Sequence, residues 1–143
     1  MSTGAAGPGP VIAGDDSSAG AASALDWAAD EAARRAVGLV VVSVTALPPV
    51  GSHLPGPVGG TAGARSAVER SADRVRARHP GLAVECEAPA GPPAPTLLAV
   101  AVAVGASLLV VGHRGQGALA RMGLGTVARA CVNEALCPVA VIP

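Results

Sequence analysis

The chain has 143 residues, no formal net charge at neutral pH, and an apolar half built almost wholly of alanine, valine and leucine. That length suits one domain with its own core rather than two, and arginine balanced against aspartate and glutamate creates no field toward nucleic acid or an anionic membrane. Trp27 is the only aromatic residue, so stability must come from close packing of small side chains, with Trp27 itself expected in the core against a sheet. The three cysteines, Cys86, Cys131 and Cys137, are odd in number and lack C-x-x-C spacing. Neither a disulfide framework nor a zinc site is expected, Cys131 and Cys137 read as small buried apolar residues, and a reducing cytoplasm fits best. No basic-then-apolar leader opens the sequence, and the apolar stretch from Leu97 to Val111 is too short for a bilayer. A soluble cytoplasmic protein is expected.

Residues 1–10 form a Gly/Ala/Pro tail with little to bury, and disorder is expected there. Val11-Ile12-Ala13 reads as a short strand running into Gly14-Asp15-Asp16-Ser17-Ser18. Ser18 is a suitable N-cap for a helix from Ala19 to Ala36, with Leu25, Ala28, Ala29 and Ala32 on one side and Gly38 as its terminating glycine. Leu39 to Thr45 is nearly all β-branched, as in a strand buried on both faces. Residues 48–63 read as a flexible Pro/Gly-rich loop. Arg65 to His79 has helical periodicity, with Val68, Ala72 and Val75 inward and its arginines on a solvated face. Leu82 to Glu87 alternates as an edge strand would, and residues 88–95 form a stiff linker. Thr96 to Val104 is a helix, Leu108 to Val111 a strand, Thr126 to Leu136 the last helix, and Pro138 to Ile142 the last strand. The domain proper is residues 11–143.

Strands and helices alternate throughout. Right-handed crossovers turn that order into an α/β, doubly wound, Rossmann-like fold: one five-stranded parallel sheet with helices on both faces. Ligands in such sheets bind beyond the carboxyl ends of the strands, where the winding reverses. The turns after the first and fourth strands both fall at that rim. The second of these is Gly112-His113-Arg114-Gly115-Gln116-Gly117, followed by Gly125-Thr126 at a helix start. Glycines let backbone amides approach an anion closely, and a helix N-terminus adds a favourable dipole, so the segment reads as a phosphate cradle.

The spacing G-x2-G-x9-G-[S/T], met by Gly112, Gly115, Gly125 and Thr126, resembles the ATP-binding motif of the universal stress protein family. The opening Val11 to Ser18, leading to Leu25-Asp26-Trp27-Ala28, resembles that family's V-G-V-D-G-S segment and first helix. Cys137-Pro138-Val139 resembles its closing strand. Three matched segments in order are far more specific than one glycine spacing. The resemblance implies a nucleotide-binding regulatory protein of the stress response that holds ATP, with or without Mg²⁺. Asp16, flanked by Gly14 and Asp15, would lie near the ribose, and Val44 against the adenine. Gly112, His113, Arg114, Gly115 and Gly117 would turn over the phosphates, and Gly125, Thr126 and Val127 would meet them at the last helix. It also implies a homodimer formed by pairing of the last strands, Val139 to Ile142.

The sequence departs from the family pattern at Asp15, where valine is common, at Ser17, where glycine is, and at Ala128, where a hydroxyl residue is. A nucleotide-free dimeric interaction module with a degenerate site is therefore the alternative. Efficient catalysis is not expected. There is no lysine for the phosphates and no carboxylate–histidine pair to activate water, which leaves at most slow ATP hydrolysis or self-phosphorylation.

Overall fold

The computed structural model describes residues 7–45, 60–113 and 124–143. Nine elements follow in order: β1 (Val11–Gly14), α1 (Ala19–Arg35), β2 (Leu39–Val42), α2 (Gly60–Arg78), β3 (Val84–Glu87), α3 (Pro93–Ala103), β4 (Leu108–Gly112), α4 (Thr126–Glu134) and β5 (Val139–Ile142). The strands form one parallel sheet in the order β3-β2-β1-β4-β5. The winding therefore reverses between β1 and β4, whose registers align Val11 with Leu108 and Ala13 with Val110.

Period-two alternation along the strands divides the core into two layers. Val11, Ala13, Leu39, Val41, Leu108 and Val110 face α1 and α2, which contribute Ala24, Leu25, Ala28, Val68, Ala72 and Val75. Ile12, Val40, Val42, Leu109 and Val111 face α3 and α4, which contribute Leu97, Ala101, Ala128 and Cys131. The alanine stripe on α1 lets that helix lie close to the sheet. Trp27 stands beside this stripe at 38% exposure, not in the core as expected; positions 24, 25, 28, 29 and 32 occupy the buried face, and 27 falls on its flank.

Local signals explain several helix ends. The Ser18 hydroxyl accepts a 3.1 Å bond from the Ala21 amide and caps α1. At the end of α3, Ala106 donates to the Ala101 carbonyl and Gly105 to that of Val102, with Gly105 at φ 63°. That is a Schellman motif with glycine in the left-handed position. The end of α1 repeats the pattern, Val37 to Ala32 and Ala36 to Ala33, but the left-handed residue is Ala36 at φ 58°. Gly38 does not terminate the helix. It lies beside β3, where an added Cβ would come within 3.3 Å of the Ala83 carbonyl oxygen.

Three further boundaries differ from expectation. The backbone of residues 60–63 belongs to α2 rather than to the preceding loop, whose residues 48–59 lie outside the described residues. Helix α3 begins at Pro93, inside the expected linker, because proline is well suited to a first helical turn, where its missing N–H has no partner to lose. The last residues of the amino-terminal tail are tied to the start of β4: Ser107 donates its hydroxyl to the Gly9 carbonyl at 2.7 Å and its amide to that of Pro10 at 2.9 Å. Residues 1–6 lie outside the described residues.

Candidate functional site

Because β1 and β4 are neighbours, their carboxyl ends open side by side, and their following helices depart to opposite faces of the sheet. Each expected site residue can be placed on this rim. Gly14 ends β1 beneath α3, where a Cβ would meet Leu97 at 3.1 Å and Val111 at 3.6 Å. Its small size is thus accounted for by packing.

The two adjacent carboxylates after Gly14 have different surroundings. Asp15 is buried; its Oδ1 accepts a 2.9 Å bond from the Ser17 amide and its Oδ2 a 2.7 Å bond from the Ser71 hydroxyl of α2. The carboxylate of Asp15, expected beside the ligand, turns inward and ties β1 to α2. Asp16 is exposed at the rim, and its Oδ1 accepts a 3.0 Å bond from the Ser18 amide. Just after them Ser17 adopts φ 67°, the conformation a glycine would take most readily. The Ser71 tie had no sequence signal, since it joins residues 56 positions apart.

Val44 follows β2 and packs, half-buried, on the α3/α4 side of the core. Its neighbours are fixed by a run of backbone bonds: Ser43 donates to Glu87, Thr45 to Pro89, and Gly91 to Thr45. The Thr45 hydroxyl oxygen is buried and has no hydrogen-bond partner among the described residues.

At the end of β4, Gly112 touches the first turn of α1. A Cβ there would lie 3.0 Å from the Gly20 carbonyl carbon and 3.1 Å from its oxygen. His113 joins three elements through its backbone, its amide donating to Ile142 at 2.7 Å and its carbonyl accepting from Gly125 at 2.8 Å. This last bond brings the N-cap of α4 back to the end of β4. Gly125 is buried and offers no side-chain cap, so the amides of the first turn, from Thr126 to Ala128, receive no capping oxygen from it. Thr126 is exposed and Val127 is half-buried against the core. Arg114, Gly115 and Gly117 lie outside the described residues.

Burial, then Cys137 and Glu134, pushes the Cys131 thiol beneath α4 up to about 11. Cys86 and Cys137 are half-buried, and burial is the first cause raising each thiol. Among the described residues no group of three or more His, Cys, Asp or Glu is placed to hold a metal ion. No described helix is long and apolar enough to cross a membrane.

The model of the universal stress protein family matches residues 9–143. A universal stress protein of Mycobacterium tuberculosis is 35% identical over 132 residues, covering 92% of this chain and 47% of that protein. The chain thus spans about half the length of the curated relatives it matches. Among solved structures, universal stress protein UspA from Lactobacillus plantarum shares the fold with a TM-score of 0.78 at 23% identity, over 96% of this chain and 99% of that one. The universal stress protein from Archaeoglobus fulgidus in complex with dAMP has a TM-score of 0.70 at 26% identity, over 94% and 97%. A family match running from residue 9 through β5, over the expected five-stranded parallel sheet, places this chain in the universal stress protein family.

Proposed function

We propose that this chain is an adenine-nucleotide receptor of the stress response, binding ATP at the rim between β1 and β4 and acting through conformation or assembly rather than turnover. One observation carries the reading most directly. The Gly125-to-His113 bond sets the start of α4, with no side-chain cap, at the reversal of the winding, where an anion gains both amides and dipole. The solved relative from Archaeoglobus fulgidus in complex with dAMP adds support from the same fold.

In this reading the first-turn amides of α4 and the Thr126 hydroxyl bind phosphate oxygens. Exposed Asp16 accepts from ribose hydroxyls, and Val44 lies against the base. Arg114, Gly115 and Gly117 belong to the phosphate turn by motif alone. A Mg²⁺ ion would arrive on the nucleotide, since the described residues present no cluster of their own for it. Two copies would pair along β5, an edge of the sheet. We place the protein in the cytoplasm, where its three free thiols would stay reduced.

Calorimetric titration with ATP, ADP and dAMP, each with and without Mg²⁺, tests the site. Saturable binding is expected, weakened at least about tenfold, or 1.4 kcal/mol, in Asp16→Ala. It should be lost in Gly125→Val, which puts a branched side chain at the helix mouth. Flat titrations at millimolar nucleotide, with unchanged melting temperature, would remove the nucleotide and leave a dimeric interaction module.

A further inference from the structure

The sheet has two edges, and the protein treats them differently. Along β3, Ala83 and Glu87 direct their carbonyls to β2, accepting from Leu39 at 2.9 Å and Ser43 at 3.0 Å. Alternation then points the carbonyls of Val84 and Cys86 away from the sheet, at the free edge. Both are taken by arginines of α2. Arg76 Nη2 donates to Val84 O at 2.7 Å, and Arg65 Nη1 to Cys86 O at 3.3 Å. An acid on the same helix steadies each guanidinium: Asp73 lies 2.9 Å from Arg76, and Glu69 lies 3.7 Å from Arg65. On the sequence these arginines read as an ordinary solvated face. In the fold they cover two adjacent outward acceptors of one strand.

Among the described residues the β5 edge has no such cover. Pro138 and Ile142 turn their carbonyls to β4, accepting from Leu109 and His113, so Val139 and Val141 present their amides and carbonyls outward. Among the described residues no side chain bonds to them. Every residue of β5 is apolar and half-buried, and Leu136 just before it is 88% exposed.

We propose that Arg65 and Arg76 close the β3 edge, so that a strand from a second copy of this chain can add to the sheet only at β5. The consequence concerns closure. A molecule with one open edge forms a two-fold pair and stops, whereas two open edges permit chains of sheets without limit. The inference is independent of nucleotide binding and separable from the β5 pairing, because its readout is at β3.

The test compares Arg65→Ala/Arg76→Ala with Arg70→Ala/Arg74→Ala, which removes the same charge from exposed positions of the same helix. Light scattering over a concentration series and amide hydrogen exchange are measured on both variants and on the wild type. In the wild type, exchange at the Val84 and Cys86 amides should not depend on concentration. In the first variant those amides should gain protection as concentration rises, and the mass should climb to at least about twice the wild-type value as both edges pair. The control should behave as the wild type. An unchanged mass with unprotected β3 amides in the first variant would overturn the proposal. So would an equal rise in the control, or concentration-dependent protection at Val84 and Cys86 in the wild type. Absence of protection at Val139 and Val141 in the wild type would remove the β5 dimer alone.

Discussion

Ala36 and Gly105 occupy the same left-handed position in two Schellman motifs, at the ends of α1 and α3. A side chain in that conformation costs roughly 1–2 kcal/mol because its Cβ crowds the following carbonyl. Glycine removes the crowding but gives the unfolded chain more freedom, an offset of about 0.4–1 kcal/mol. Ala36→Gly is therefore expected to stabilise the protein by about 0.5–1 kcal/mol, raising the melting temperature by a few degrees. Gly112 is the opposite case, because α1 passes so near that a methyl group would press on the Gly20 backbone. Gly112→Ala should destabilise by about 1–3 kcal/mol, with or without nucleotide. The same comparison by thermal unfolding checks both substitutions. If Ala36→Gly lowers stability, the left-handed strain assigned to α1 is wrong.

At the scale of elements, the last turns of α1 show how charge and packing cooperate. Glu31 is buried by its neighbours, and both its oxygens are engaged, by Arg34 and, at 2.7 Å, by Arg35. The Arg35 hydrogen bond, opposed by desolvation and aided by the charge of both arginines, holds this carboxyl below its ordinary range. A folded-state value below the unfolded one means stability that is present above the unfolded value and lost as pH falls through the folded one. Glu31→Gln should thus lower the melting temperature at neutral pH. The gap from the wild type should narrow as acid protonates Glu31; a gap that stays constant into strong acid would rule out the charged pair as its source. How much could be read in advance varies by element. The Ser18 cap, the β-branched run from Leu39 and the Gly105 break are local signals, and the strands and caps they imply are present. Residues 60–63 gave no such signal, since their glycines have poor helix propensity and the helix they join is visible only once it packs. Ser71, Arg65 and Arg76 were illegible for another reason. Their partners, Asp15, Cys86 and Val84, become partners only through strand order and register.

For the whole molecule, the deciding geometry is the reversal of winding between β1 and β4, which puts a rim crevice at one pole and leaves β3 and β5 as edges. The topology of that crevice followed from the alternation of strands and helices in the sequence. The motif singled out Asp16 for that rim, but the inward turn of Asp15 was illegible, because only the fold brings it to Ser71. The open β5 edge supplies the last prediction. Val141 directs its amide away from β4, so proline there removes no hydrogen bond from the sheet, yet it deletes a donor that an added strand would need. Val141→Pro should therefore yield a monomer by light scattering, with the circular dichroism of the wild type and a modest loss of melting temperature from altered packing on the α3/α4 face. If wild type and variant are both dimers, the copies meet on another surface than the proposed β5 edge. A match of the monomer's nucleotide titration to the wild type's would mean that each copy holds a complete rim, as expected when every proposed contact comes from one chain.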